Sequence, residues 1–152
     1  METIELERFL PYRLNRIAAA VSRRFRGVYA AQTGLSVPEW RVLATLAQLG
    51  TLTAKAIGEH SDMHKTKVSR AVAELERRRW LRRRPNPGDR REELLTLSAA
   101  GLHAYAAIVP GMLALERELT GSLGPQGIEA LLTALDGLER VMGLDRPAPP
   151  VE

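Results

Sequence analysis

Between Thr53 and Leu97 the hydrophobic pattern of the chain changes period within a short span, and few folds accommodate the order in which it does so. Thr53 can cap a short helix, Ala54 to about His60, and Ser61-Asp62-Met63 leaves room only for a brief turn before the next helix. That next helix, about His64 to Arg79, carries Val68, Val72 and Leu75 at spacings of four and three, which predicts one buried face. Two helices joined so closely fit a helix-turn-helix. Beyond Trp80 the period is no longer helical. Leu81-Arg82-Arg83-Arg84 and Glu93-Leu94-Leu95-Thr96-Leu97 read as strands around the turn-rich Pro85-Asn86-Pro87-Gly88-Asp89, which predicts a β-hairpin, and beside a helix-turn-helix such a hairpin is a wing.

Long amphipathic helices flank this unit. Leu10, Leu14, Ile17, Val21, Phe25 and Val28 recur every three or four residues between Glu7 and Ala31, with Pro11 tolerable near the start. Ser36-Val37-Pro38-Glu39 has the form of a capping box with proline in the first turn, opening a helix that stops near Gly50. Ser98 caps another helix, with Leu102, Tyr105, Ile108, Val109, Met112 and Leu115 on its apolar side and a kink expected at Pro110. Gly124-Pro125 restarts a last one along Ile128, Leu131, Leu132, Leu135, Leu138 and Val141.

The predicted fold class is therefore mainly α with a small β-hairpin wing (α+β): a winged helix-turn-helix with long terminal helices. One domain spans 1–152, with the reader at 36–97, dimerisation helices at 1–35 and 98–145, and a proline-rich, poorly ordered tail at 146–152. A reader this small cannot cover three apolar stripes, so a homodimer is expected.

Charge is distributed unevenly. His64–Arg91 holds eleven Lys/Arg against three acids (Glu74, Glu76, Asp89), a local excess of eight positive charges in a chain of net charge +4. That asymmetry marks a surface facing a polyanion. The chain has no cysteine, which excludes disulfides and thiolate metal sites. His60, His64 and His103 have no metal-like spacing, so no metal and no cofactor are expected. The sequence offers no nucleophile–base pair and no glycine-rich phosphate loop, which argues against an enzyme. The acidic N-terminus lacks the features of a secretion signal, and uninterrupted apolar runs are shorter than a membrane span; the expected location is the cytoplasm, with no membrane partner.

With helix, helix, helix-turn-helix, wing and two long helices in this order, the chain from about Phe9 to Met142 resembles the MarR (multiple antibiotic resistance regulator) family. Three segments carry the resemblance: Leu35-Ser36-Val37-Pro38-Glu39-Trp40-Arg41-Val42-Leu43; His64-Lys65-Thr66-Lys67-Val68-Ser69-Arg70-Ala71-Val72 with Leu75-Glu76-Arg77-Arg78; and Asp89-Arg90-Arg91 followed by Leu94-Leu95-Thr96-Leu97-Ser98. The last looks like the family's Asp-x-Arg wing signature. Two positions depart from the pattern. Arg79-Trp80 stands where a small or glycine-containing turn is expected, and His64 where the family often has Asp or a similar small polar residue.

The resemblance implies a sequence-specific transcriptional regulator, a repressor released from a palindromic operator by a small aromatic or phenolic acid. A recognition helix in the major groove would face base edges with His64, Lys65, Thr66, Lys67, Ser69 and Arg70. Thr53 and Lys55, at the start of the preceding helix, favour a phosphate. Arg83, Arg84 and Arg90 would neutralise phosphates, although a charged edge strand at Arg82–Arg84 also discourages sheet aggregation. Arg91 resembles the family's wing arginine in the minor groove, and Asp89 is expected to orient an arginine. For an effector carboxylate and ring the candidates are Arg13, Arg16 and Trp40, the last also a plain core residue. The alternative is a winged-helix module that binds protein or RNA.

Overall fold

Local capping chemistry sets most of the helix boundaries. In the computed structural model, which describes Met1 and residues 3–144, five helices and three short strands follow one another. They are α1 (Leu10–Thr33), α2 (Val37–Leu49), β1 (Leu52–Thr53), α3 (Ala54–Ser61), α4 (Lys65–Arg77), β2 (Leu81–Pro85), β3 (Glu93–Leu97) and α5 (Ala99–Val141). The predicted tail 146–152 lies outside the described residues. Gly34, at φ 69°, turns the chain out of α1 while its N–H still bonds the Ala30 carbonyl. Ser36 and Glu39 form the expected capping box at α2, Thr53 accepts from the Ala56 N–H at α3, and Ser98 accepts from the Gly101 N–H at α5.

The wing is wider than the expected hairpin. β3 lies between β2 and β1, antiparallel to both, with Leu81 opposite Leu97, Arg83 opposite Leu95, and Leu52 opposite Leu95 on the other side. At two residues, β1 is too short to show an alternation, and Thr53 both ends it and caps α3. The core sits under this sheet: Val42 and Leu43 of α2, Ile57 of α3, Val68, Val72 and Leu75 of α4, Leu81 and Leu95 of the wing, and Ile108 of α5 are all buried. The predicted buried face of α4 is the observed one.

Two boundaries differ from the sequence reading. α4 begins one residue after His64, which is its cap, and ends at Arg77, because Arg79 takes a left-handed conformation at φ 61°. The two C-terminal helices are continuous except at Gly124 (φ 70°, ψ 168°), where the backbone leaves the helix just ahead of Pro125. Pro110 keeps helical φ and ψ, so the break is where Gly124-Pro125 predicts it, and Pro110 introduces none.

Much of the flanking helices is uncovered. Leu10, Leu14, Ile17 and Val21 of α1 and Leu123, Leu131, Leu132 and Leu135 of α5 are exposed apolar side chains. By length and composition α5 would qualify to cross a bilayer, a point the short apolar runs concealed, but its Ile108 and Gly101 are locked into the core.

Candidate nucleic-acid interface

The outward surface of α4 follows from its helical period. With Val68, Ala71, Val72 and Leu75 buried, the opposite side carries Thr66, Arg70, Ala73 and Arg77 at successive turns, all exposed. Ser69 and Lys65 flank this stripe on the wing side and Lys67 on the other. Lys65, Lys67 and Arg70 enter none of the ion pairs among the described residues, so their charges are available to a ligand. Ala73 and Arg77 were not singled out in the sequence, yet both continue the face that Thr66 and Arg70 begin. The i, i+4, i+7, i+11 spacing is the signal that finds them.

His64 stands at the start of α4 as its N-cap: Nδ1 accepts the Thr66 N–H at 3.3 Å. An imidazole that accepts at Nδ1 carries its proton on Nε2, so the exposed edge offers a hydrogen-bond donor. Thr53 is half-buried, its hydroxyl committed to the α3 cap, and Lys55 lies beside Glu59 at 4.0 Å. Asp62 takes the left-handed turn (φ 48°) between α3 and α4, a conformation that aspartate tolerates better than most residues.

In the wing, Asp89 holds Arg91 in a two-pronged pair, Oδ1 to Nε at 3.1 Å and Oδ2 to Nη2 at 3.0 Å. Asp89 Oδ1 also accepts the Arg91 backbone N–H at 3.0 Å. The side-chain bond and then the backbone bond to Arg91 draw the Asp89 carboxyl below its usual range. The expected orienting role of Asp89 toward an arginine is thus present as geometry. Arg84 and Arg90 are exposed and free of ion pairs among the described residues.

Arg83 differs from its neighbours. Successive side chains of a strand face opposite sides, so Arg82 and Arg84 share one face of β2, and Arg83 shares the other with buried Leu81. Its Nε bonds Glu76 at 2.9 Å and its Nη1 bonds Glu93 at 2.9 Å. It therefore lies in the cleft of about 900 Å³ between α3, α4 and the wing, which Lys65, Ser69, Val72 and Arg91 also line. Grouping it with Arg84 as a free phosphate contact does not match that geometry.

The junction after α4 is tied from three sides. Arg78 bonds Glu74 (2.8 Å) and the Thr33 carbonyl at the end of α1 (2.6 Å), and its guanidinium lies 5.4 Å from the Trp80 ring centroid. The Ser98 hydroxyl bonds the Arg79 carbonyl, and its N–H bonds that of Trp80. Bonds from Arg77 and then Arg78 hold the Glu74 carboxyl at a pKa of about 2.

The proposed effector residues do not converge within one chain. Trp40 stacks with Tyr29 (centroids 5.2 Å apart) and Tyr105 (5.9 Å), so its ring partners are the protein's own. Arg16 stands over the Tyr12 ring, and about 20 Å of helix axis separates it from Tyr29. Arg13 is farther still along the same helix and exposed. No group of histidine and carboxylates suited to a metal occurs among the described residues.

Residues 33–92 match the family model described as the MarR family. An uncharacterized HTH-type transcriptional regulator of Bacillus subtilis (strain 168), YwoH, is 28% identical over 125 residues, covering 82% of this chain and 90% of that protein. A MarR-family transcriptional regulator from Silicibacter pomeroyi superposes with a TM-score of 0.77 at 26% identity, over 97% of this chain and all of that one (100%). NadR, solved in complex with 4-hydroxyphenylacetate, shares the fold with a TM-score of 0.77 at 21% identity, covering 95% of this chain and 100% of its own.

Proposed function

We propose that the chain is a transcriptional regulator of the MarR family, whose model residues 33–92 match, and that it reads a palindromic DNA operator as a homodimer. The observation that carries this reading is the exposed stripe Thr66, Arg70, Ala73 and Arg77, flanked by Lys65 and Lys67, which form no ion pair among the described residues, and set beside a basic wing. Such a face suits a major groove, since Lys and Arg donate to guanine acceptors and an alanine can lie against a thymine methyl. Arg91, aimed by Asp89, enters the adjoining minor groove, where a narrow A·T-rich segment concentrates negative potential. The exposed leucines of α1 and α5 pair with those of a second copy, and the two-fold axis requires two inverted half-sites. The protein acts in the cytoplasm, where this duplex is found.

A small aromatic or phenolic acid releases the repressor from DNA. NadR, which shares the fold, was solved with 4-hydroxyphenylacetate. The Tyr29–Trp40–Tyr105 stack, joining α1, α2 and α5, offers rings that such a ligand could replace or extend. Arg13 and Arg16 can serve its carboxylate only across the dimer interface, given their distance along α1 from Tyr29, which stacks on Trp40.

Selection of bound sequences from a random duplex pool tests the operator reading. An inverted repeat with half-sites about one helical turn apart is expected. Equal binding of all duplexes, or preference for single-stranded RNA over duplex in competition across a salt series, would replace it with the RNA or protein-binding alternative.

A further inference from the structure

We infer that Arg83 is a positioning residue, a tie that sets the wing against the recognition helix, and that it does not contact phosphate. This rests on the proposed reading of duplex DNA by α4 and the wing. The tie spans three elements: Glu76 in the last turn of α4, Arg83 in β2 and Glu93 in β3. Arg83 is 32% exposed as a side chain, less than Glu76 (44%) or Glu93 (55%), so the cation is the inner member. Two carboxylates on one guanidinium leave the cluster with a net negative charge, which repels a phosphate. The strand pleat reinforces the assignment, because the opposite face of β2 already carries Arg82 and Arg84 without ion partners among the described residues.

A two-pronged tie has a geometric consequence. Val72 and Ser69 of α4 line the same cleft as Arg83 and Arg91, so the contact between Arg83 and Glu76 fixes the distance between the reading face and the minor-groove arginine. Without it, the hairpin is anchored by the buried Leu81 and Leu95, the latter opposite Arg83 itself, and by the pairing of β3 with β1, which leaves the turn beyond Pro85 and Glu93 untied to α4. The wing tip could then swing, and the two grooves would no longer be engaged in register.

The test is a double-mutant cycle with Arg83→Gln and Glu76→Gln in the full chain, using the duplex selected by the wild-type protein and a scrambled duplex. A tie predicts that each single variant weakens binding to the selected duplex about 3- to 10-fold, and that the double variant is no weaker than either. The salt dependence of binding stays at the wild-type slope. The sign for Glu76→Gln is decisive, because removing a negative charge near DNA strengthens binding unless the carboxylate holds something in place. Tighter binding by Glu76→Gln, together with a shallower salt slope for Arg83→Gln, would overturn the inference and make Arg83 a phosphate contact. The same cycle read by urea unfolding without DNA reports the Glu76–Arg83 coupling directly. Additive unfolding effects would also overturn it. Were the wild-type protein to bind both duplexes equally, the DNA reading would fail while the unfolding cycle still decided the tie.

Discussion

Gly101, in the first turn of α5, lies against the backbone carbonyl of Trp80, so that a methyl group on its α-carbon would overlap the carbonyl oxygen and stand 3.0 Å from the carbonyl carbon. That carbonyl also accepts the Ser98 N–H at 2.9 Å, which leaves the oxygen no direction in which to retreat. The start of α5 is thereby locked to the segment that joins α4 to the wing. In an open helix Gly→Ala gains stability, since alanine loses less conformational freedom. Here Gly101→Ala is expected to cost about 1–3 kcal/mol through overpacking, read as a lower urea midpoint at unchanged slope. A gain in stability would show that the two backbones part without cost.

Arg79 gives the opposite prediction at the same junction. It holds φ 61°, a left-handed conformation that costs a side chain with a β-carbon roughly 1 kcal/mol or more. The sequence departs here from the glycine-containing turn of the resembled family, and the backbone nonetheless takes the glycine-like conformation. Arg79→Gly relieves the strain and loosens the unfolded chain, so the net gain is about 0.5 kcal/mol. Thermal unfolding should shift upward, whereas Gly34→Ala, at φ 69°, should shift it downward.

Acid stability should depend on Glu74. Its carboxyl titrates at about 2 in the folded chain, below its ordinary 4.5, because Arg77 and Arg78 bond the charged form. The pair stabilises the fold fully above pH 4.5, and the contribution declines as pH falls from there through about 2. Glu74→Gln should therefore be less stable than wild type at neutral pH, with the two converging toward pH 2. A gap that stays constant across the series would assign the effect to packing of Arg78 against Trp80 and Thr33.

What the sequence made legible was the chemistry of short range. Caps at Ser36, Thr53 and Ser98, and the buried face Val68, Val72, Leu75, follow from side chains that act within one or two turns. Three features escaped because they depend on partners distant in the chain. β1 exists only because β3 lies beside Leu52 and Thr53. Arg83 and Arg84 look equivalent until the pleat turns one toward Glu76. Trp40 reads as core or as a ring for a ligand, and the stack it makes draws its partners, Tyr29 and Tyr105, from two other helices.

Dimerisation should reside in the exposed stripe beyond Gly124. Leu131, Leu132 and Leu135 lie on the surface of α5, too apolar a face to remain in water. Replacing Leu131 and Leu135 with glutamate should give monomers in sedimentation velocity. Affinity for the selected duplex should fall about 100-fold or more, since the second half-site no longer benefits from tethering. A double variant that sediments as a dimer would locate the interface elsewhere.

Base reading and charge neutralisation should separate between α4 and the outer face of β2. Arg70 lies mid-stripe on α4 between Thr66 and Ala73, whereas Arg84 projects from the face of β2 opposite Leu81. If α4 reads base edges as proposed, Arg70→Ala removes one of its donors. It should cost about 1–3 kcal/mol on the selected duplex and relax the preference at one position in each half-site. Arg84→Ala should weaken selected and scrambled duplexes by the same factor and reduce the salt slope by about one per chain. Arg91→Ala should fall between the two, because it removes the cation proposed for the minor groove and also leaves the Asp89 carboxylate without its partner. Its losses should be largest on A·T-rich flanks, where the groove is narrow. Affinities of the three variants on both duplexes, across a salt series, decide the matter. If Arg70→Ala shifts both duplexes equally, α4 contributes charge alone, and any sequence preference must come from DNA shape sensed by the wing.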